Sequence, residues 1–268
     1  MSSHQDVSTA LATRAEPKIQ IWHFIVLIVL YLGLVQGTTA LLTAGGEQEY
    51  AAPSSVDYLV RMMVIPVGLG IILLTVVMAF LGNWQRVFVD TYPLHRWTIA
   101  IPLIILVTVL IVMNYSGLAS MGLAFALMLL VATFMIGFGE ELLFRGIGLE
   151  SFRSAGFSEF QVGLWSSIVF GVVHFSNVFI TGVQASLLQV VLTTATGFLF
   201  YLVMRATGSL VAAMIAHGLW DFAVISTQVP QSPTSMAPVA FGVLVVILVL
   251  VFIRRKHLAP AQGKSALN

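Results

Sequence analysis

Apolar residues run along this chain in long, continuous stretches separated by short polar breaks. A membrane-spanning helix needs roughly 20 mostly apolar residues. Eight segments reach or approach that length: Ile21–Leu42, Leu59–Leu81, Trp97–Met113, Leu118–Phe138, Val162–Phe179, Val183–Met204, Ser209–Ser226 and Ala237–Ile253. The first is preceded by Arg14 and Lys18, as a signal peptide would be, but its apolar run is too long for one and reads as a retained helix. Residues 1–18 and 257–268 are polar flanks expected to be disordered. Residues 19–256 then form one embedded helical domain.

Composition supports hydrocarbon as the solvent. Hydrophobic residues make up 59% of the chain and charged residues only 9%, with a mean hydropathy of +0.99. Soluble domains are near half apolar and a quarter charged, so one aqueous core cannot hide this much apolar surface. In a bilayer only helices and closed barrels satisfy their backbone, and barrel strands alternate where these runs do not. The expected fold is therefore an all-α polytopic bundle. The absence of cysteine excludes disulfides and thiolate metal sites. A net charge of +1 gives no basic surface for nucleic acid.

The few charges also orient the bundle. With eight spans and both termini cytoplasmic, Arg14, Lys18, Arg86, Arg96, Arg145, Arg153, Arg205, Arg254, Arg255, Lys256 and Lys264 all lie toward the cytoplasm, leaving Arg61 on the far side. The connections Asn114–Gly117, Ser176–Gly182 and Thr227–Pro238 carry no charge. This asymmetry is what the positive-inside rule describes.

Charge inside a span costs at least ~2.5–3.5 kcal/mol on insertion scales, so each instance points to function. Three clusters stand out. Glu140-Glu141-x-x-x-Arg145 continues the fourth segment, with Glu141 and Arg145 one helical turn apart and placed to pair, while Glu140 points about 100° away. Phe170-x-x-x-His174 lies in the fifth segment and His217-x-x-x-Asp221 in the seventh. Turns near Ser154–Gly156 and Ala206–Gly208 bring the three to compatible depths at ~1.5 Å per residue.

A carboxylate with two imidazoles and an Asp can do hydrolytic work in two ways. Glu140 can act as general base on a water that His174 orients, with His217 and Asp221 stabilising an oxyanion or fixing a ring tautomer. Alternatively His174, His217 and a carboxylate, Glu140 or Asp221, hold a divalent metal such as zinc that acidifies the water. Spacing alone leaves both open. Gln189, Thr193 and Thr196 at helical spacing read as interhelical packing, and Asn177 as packing or helix termination.

In their order and flanks, the three motifs resemble those of the CAAX-processing and bacteriocin-processing (CPBP, Abi) intramembrane peptidases, over roughly residues 118–225. The resemblance implies an eight-helix fold, peptide-bond hydrolysis within the membrane and a site open toward the cytoplasm. It implies a general base at Glu140 working with His174, an oxyanion role for His217 and Asp221, and Arg145 holding the Glu pair. The last motif position is often Asn; the Asp here cannot donate a hydrogen bond unless protonated, which weighs toward metal ligation. The implied partner is a membrane-associated protein or peptide in the lipid bilayer, and the implied location the plasma membrane of a prokaryote. A prenylated substrate does not follow from the resemblance. A non-catalytic immunity factor or scaffold that keeps the motifs is a second reading. A proton-coupled transporter is a third, but the sequence lacks the repeated halves that transporters show.

Overall fold

A computed structural model describes residues 19–44, 53–82, 84–91, 94, 96–229 and 237–254. The polar flanks 1–18 and 257–268, and with them most of the terminal charges, lie outside the described residues. Those described form an all-helical bundle, and the one β contact is an isolated bridge between Val89 and Ser209. Eight principal helices follow one another: α1 (Ile21–Thr43), α2 (Val56–Leu81), α3 (Ala100–Val112), α4 (Leu123–Ser154), α5 (Glu159–Val173), α6 (Val183–Thr207), α7 (Leu210–Ser226) and α8 (Ala237–Ile253).

Four of these, α1, α2, α4 and α6, are long and apolar enough to span a bilayer on their own. A fifth span can be made by Trp97–Val112 with the short helix Tyr115–Met121, bent by 59° against it. Phe179 is 93% exposed, Phe80 86% and Leu41 82%. Apolar surface of that kind marks an integral membrane protein, whose outer face meets lipid rather than water.

The segments expected from the sequence coincide with these helices, apart from two breaks. The fourth begins at Leu123 rather than Leu118, because Gly122 takes φ +84° and ends a separate helix capped by the Asn114 side chain. The fifth does not run on to Phe179. Its α-helix stops at Val173, and His174–Asn177 form a tighter 3-10 turn before Val178–Thr181. Ser176 and Asn177, poor helix formers, direct their side chains to other helices instead.

Small residues let the central helices touch. At Gly137 of α4, a Cβ would fall 2.6 Å from the Met214 carbonyl and 2.8 Å from the Gly218 nitrogen of α7. Two backbones in direct contact replace the side-chain burial that drives packing in water. This contact holds the Glu-Glu motif of α4 against the histidine motif of α7. At one end of the bundle Asp90, Arg153, Glu159 and Arg205 form a buried ionic network that ties the 84–91 connection to α4, α5 and α6.

Candidate active site

The site begins where α4 changes winding. Its α-helix ends at Glu141 and passes into a π turn over Leu142–Gly148, a local widening common at functional sites. Within that turn Arg145 reaches back one turn and donates from Nη1 to Glu141 Oε1 at 2.8 Å, both side chains fully buried. Its guanidinium lies over the Phe170 ring, 4.2 Å from the centroid. The space for it exists because position 197 is glycine: a Cβ there would stand 2.6 Å from Arg145 Nη2.

The same Glu141 oxygen takes a second bond across the bundle, 2.8 Å from His217 Nδ1. A carboxylate paired with arginine can only accept, so the imidazole donates from Nδ1 and its orientation is fixed. The ring is stacked on Phe200 at 4.4 Å and meets the edge of Phe170 at 5.8 Å. Nε2 is left between Asp221 Oδ2 at 3.4 Å and Glu140 Oε2 at 3.7 Å. The sequence puts Asp221 beside His217 at one-turn spacing, but the group that orients the ring is Glu141, 76 residues away in the chain.

His174 is fixed in the same manner by a different partner. Its Nδ1 lies 2.7 Å from the Phe170 carbonyl, which can only accept, so this ring also donates from Nδ1 and leaves Nε2 unprotonated when neutral. The 3-10 turn after Val173 starts at this residue.

Glu140, His174, His217 and Asp221 all line one cavity of about 650 Å³. The two glutamates differ sharply. Glu141 is fully buried, while the Glu140 and Asp221 side chains keep 20% and 24% exposure on the cavity side. The Glu141–Arg145 pair expected from spacing is present, and Glu140 points away from it to the cavity, 3.7 Å from His217 Nε2.

The cavity also gathers residues that the sequence reading assigned to packing. Gln36 of α1 donates to Ser176 Oγ and to Asn177 Oδ1, both at 3.2 Å, and Asn177 Nδ2 donates to Gln189 Oε1 at 3.0 Å. This chain of amides joins α1, the 3-10 turn and α6 along the cavity wall. Thr193 and Thr196 line the same wall with their hydroxyls bonded to carbonyls of their own helix. No short motif marks Gln36. The signal available in sequence was the mere presence of amides in apolar spans.

For a metal, donors must converge. Both Nδ1 atoms are committed to acceptors of the protein, and His217 Nε2 already faces two carboxylates. Among the described residues no three His, Asp or Glu side chains are grouped to hold an ion. The donor set does not form a three-ligand cage in this arrangement, and the chemistry considered below uses none.

Fold and site together define an integral membrane protein with a carboxylate–imidazole centre inside its helical bundle. Residues 122–223, which carry all three motifs, match the family model of the type II CAAX prenyl endopeptidases, Rce1-like. The resemblance drawn from the motifs thus holds over the part of the chain that builds the site. The chain is also similar to the uncharacterized protein YpbD of Bacillus subtilis (strain 168), 34% identical over 98 residues. That alignment spans 36% of this chain and 43% of YpbD, less than half of either.

Proposed function

We propose that this protein is an intramembrane endopeptidase that hydrolyses a peptide bond of a membrane-associated protein or peptide with a water activated by Glu140. The observation that carries the reading is the unequal treatment of two adjacent carboxylates: Glu141 is locked by Arg145 and His217, while Glu140 opens into the cavity beside them. In a merely structural cluster, both acids would be expected to be paired and buried. The similarity of residues 122–223 to an endopeptidase family supports the same conclusion.

In this mechanism a water held between the Glu140 carboxylate and His174 Nε2 loses a proton to Glu140. The resulting hydroxide attacks the scissile carbonyl carbon. His217, doubly protonated, donates from Nδ1 to Glu141 and from Nε2 to the oxyanion, and Asp221 compensates its charge. Glu140 then passes its proton to the leaving nitrogen as the C–N bond breaks, giving a carboxylic acid and an amine, between which the acid's proton passes to leave a carboxylate and an ammonium. Asp221 remains an acceptor throughout, so the oxyanion is stabilised by the ring and not by position 221. The amides of Gln36, Asn177 and Gln189 can exchange their mutual bonds for bonds to the N–H and C=O groups of an extended peptide. The membrane in which it works is, on this reading, the plasma membrane of a prokaryote, and the similarity to a Bacillus subtilis protein supports that part of the reading.

Turnover of candidate peptides by purified protein, with Glu140→Ala as the blank and with or without a chelator, tests the reading. Chelator-insensitive turnover that depends on Glu140 is the expected result. Reversible loss with chelator would instead support metal-assisted hydrolysis. No turnover by protein that remains folded would favour a non-catalytic scaffold.

A further inference from the structure

The cavity runs from mid-bundle to one end, and the residues on its rim show which. Tyr58 lies in the first turn of α2, Ala185 in the first turn of α6, Thr181 just before Gly182, and Gln228 just after α7. His217 lies nine residues before the end of α7 at Ser226, so it sits roughly 14 Å below that rim. In the opposite direction the cavity is closed. Phe144, Phe170 and Phe200 line that inner end, each no more than 2% exposed. Beneath them the Asp90–Arg153–Glu159–Arg205 network seals that end of the bundle.

The rim is at the end with few charges. Its described connections include the neutral 113–122, 174–182 and 227–229 segments and an Asp57–Arg61 pair. The sealed end carries Arg86, Arg153 and Arg205, together with Arg254, which lies over the Trp97 ring. Orientation follows the Lys and Arg bias, and nearby acids contribute little to it. The sealed, basic end is therefore the cytoplasmic one. Two expectations from the sequence, basic connections inside and a site open to the cytoplasm, thus exclude each other in this fold.

We propose that the site is entered from the non-cytoplasmic face, and that its substrates are polypeptide segments presented at the outer leaflet. These would be an exported peptide or an extracytoplasmic juxtamembrane segment, rather than the prenylated C-terminus of a cytosolic protein. The claim about substrates rests on the peptidase reading; the claim about the entry face does not. An uncharged, amide-lined upper wall suits the main chain of such a segment, because it offers donors and acceptors without selecting a charge.

The chain contains no cysteine, so single-cysteine variants can be labelled on an otherwise silent background. Gln228→Cys reports the rim, Thr193→Cys the cavity wall and Ala155→Cys the turn at the basic end. In intact bacterial cells a membrane-impermeant maleimide is expected to label Gln228→Cys and Thr193→Cys, with Ala155→Cys labelled only after lysis. Labelling of Gln228→Cys or Thr193→Cys only after lysis overturns the proposal. So does a Thr193→Cys variant that stays silent from both sides while Gln228→Cys reacts.

Turnover separates the two claims. If the labelling holds and no peptide is cleaved in any format, the peptidase reading falls and the entry face stands. If wild-type protein cleaves peptide supplied to the cytoplasmic face of inverted vesicles but not peptide supplied outside intact cells, hydrolysis stands and the entry face falls.

Discussion

The bundle buries two ionic clusters, and they are built on opposite principles. At the basic end, Asp90 and Glu159 each pair with both Arg153 and Arg205, at 2.8 to 3.4 Å. Two acids meet two guanidiniums, every pairing is doubled, and the Tyr201 hydroxyl, which accepts from Arg205, donates to the Glu159 carbonyl. At mid-bundle, Glu140, Glu141 and Asp221 share one guanidinium, Arg145, together with the imidazoles of His174 and His217. Only Glu141 reaches the guanidinium there, and both of its bonds fall on the one oxygen Oε1, which leaves Oε2 buried without a hydrogen bond. Buried charge is costly unless compensated, so the balanced cluster is what structure alone selects. A surplus of acid against an open cavity, as at mid-bundle, is what the proposed chemistry would require. Charge in a membrane span is thus weak evidence of function by itself; incomplete pairing beside a cavity is stronger evidence.

The comparison can be broken most severely at Glu140. Glu140→Ala is expected to cut turnover by about 10²–10⁴-fold, ~3–5 kcal/mol of transition-state stabilisation, and to leave thermal unfolding unchanged. A variant as active as wild type would remove the catalytic half of the contrast.

Arg145→Met comes next and acts mainly on stability. It breaks the fully buried ion pair with Glu141 and leaves His217 as that acid's one remaining partner, a loss of about 3–5 kcal/mol. Arg205→Met should cost clearly less, because Arg153 still reaches both Asp90 and Glu159. Denaturation in detergent measures both; equal losses would show that the doubled pairings confer no protection. Turnover per folded molecule should drop for Arg145→Met and hold for Arg205→Met.

Asp221→Asn carries an intermediate effect with an informative sign. Removing the acid next to His217 Nε2 while supplying an amide donor should retain or raise activity if Asp221 only compensates the ring. A loss of 10–100-fold, with lower metal content by elemental analysis, is the outcome expected of a ligand or of its support.

The smallest expected effect is at Gln189. Gln189→Leu removes the acceptor of Asn177 Nδ2 and one wall amide, and should raise KM a few-fold with kcat nearly unchanged. An equal fall in kcat would move this residue from substrate binding into the chemical step.

Much of this molecule is legible before folding, because a bilayer imposes a simple code. Segment length and apolarity place the helices, and the breaks at Gly122 and His174 escape that code because they depend on a glycine at positive φ and on side chains that bond to other helices. The pairing of Glu141 with Arg145 is local, one turn apart, so spacing predicts it. The amide chain of Gln36, Asn177 and Gln189 links residues 12 to 141 positions apart, and no pattern along the chain announces it.

The sequence by itself determined the all-helical membrane class, the three motifs and the charge bias, since each is a property of neighbouring residues or of summed composition. Tertiary structure decided which partner orients His217, which amides wall the cavity, and at which end the cavity opens. Those outcomes depend on contacts such as Gly137 against Gly218 and Gly197 against Arg145, where the absence of a side chain lets distant helices meet. Such close approaches belong to the packed bundle, and a linear pattern of apolar residues carries no record of them.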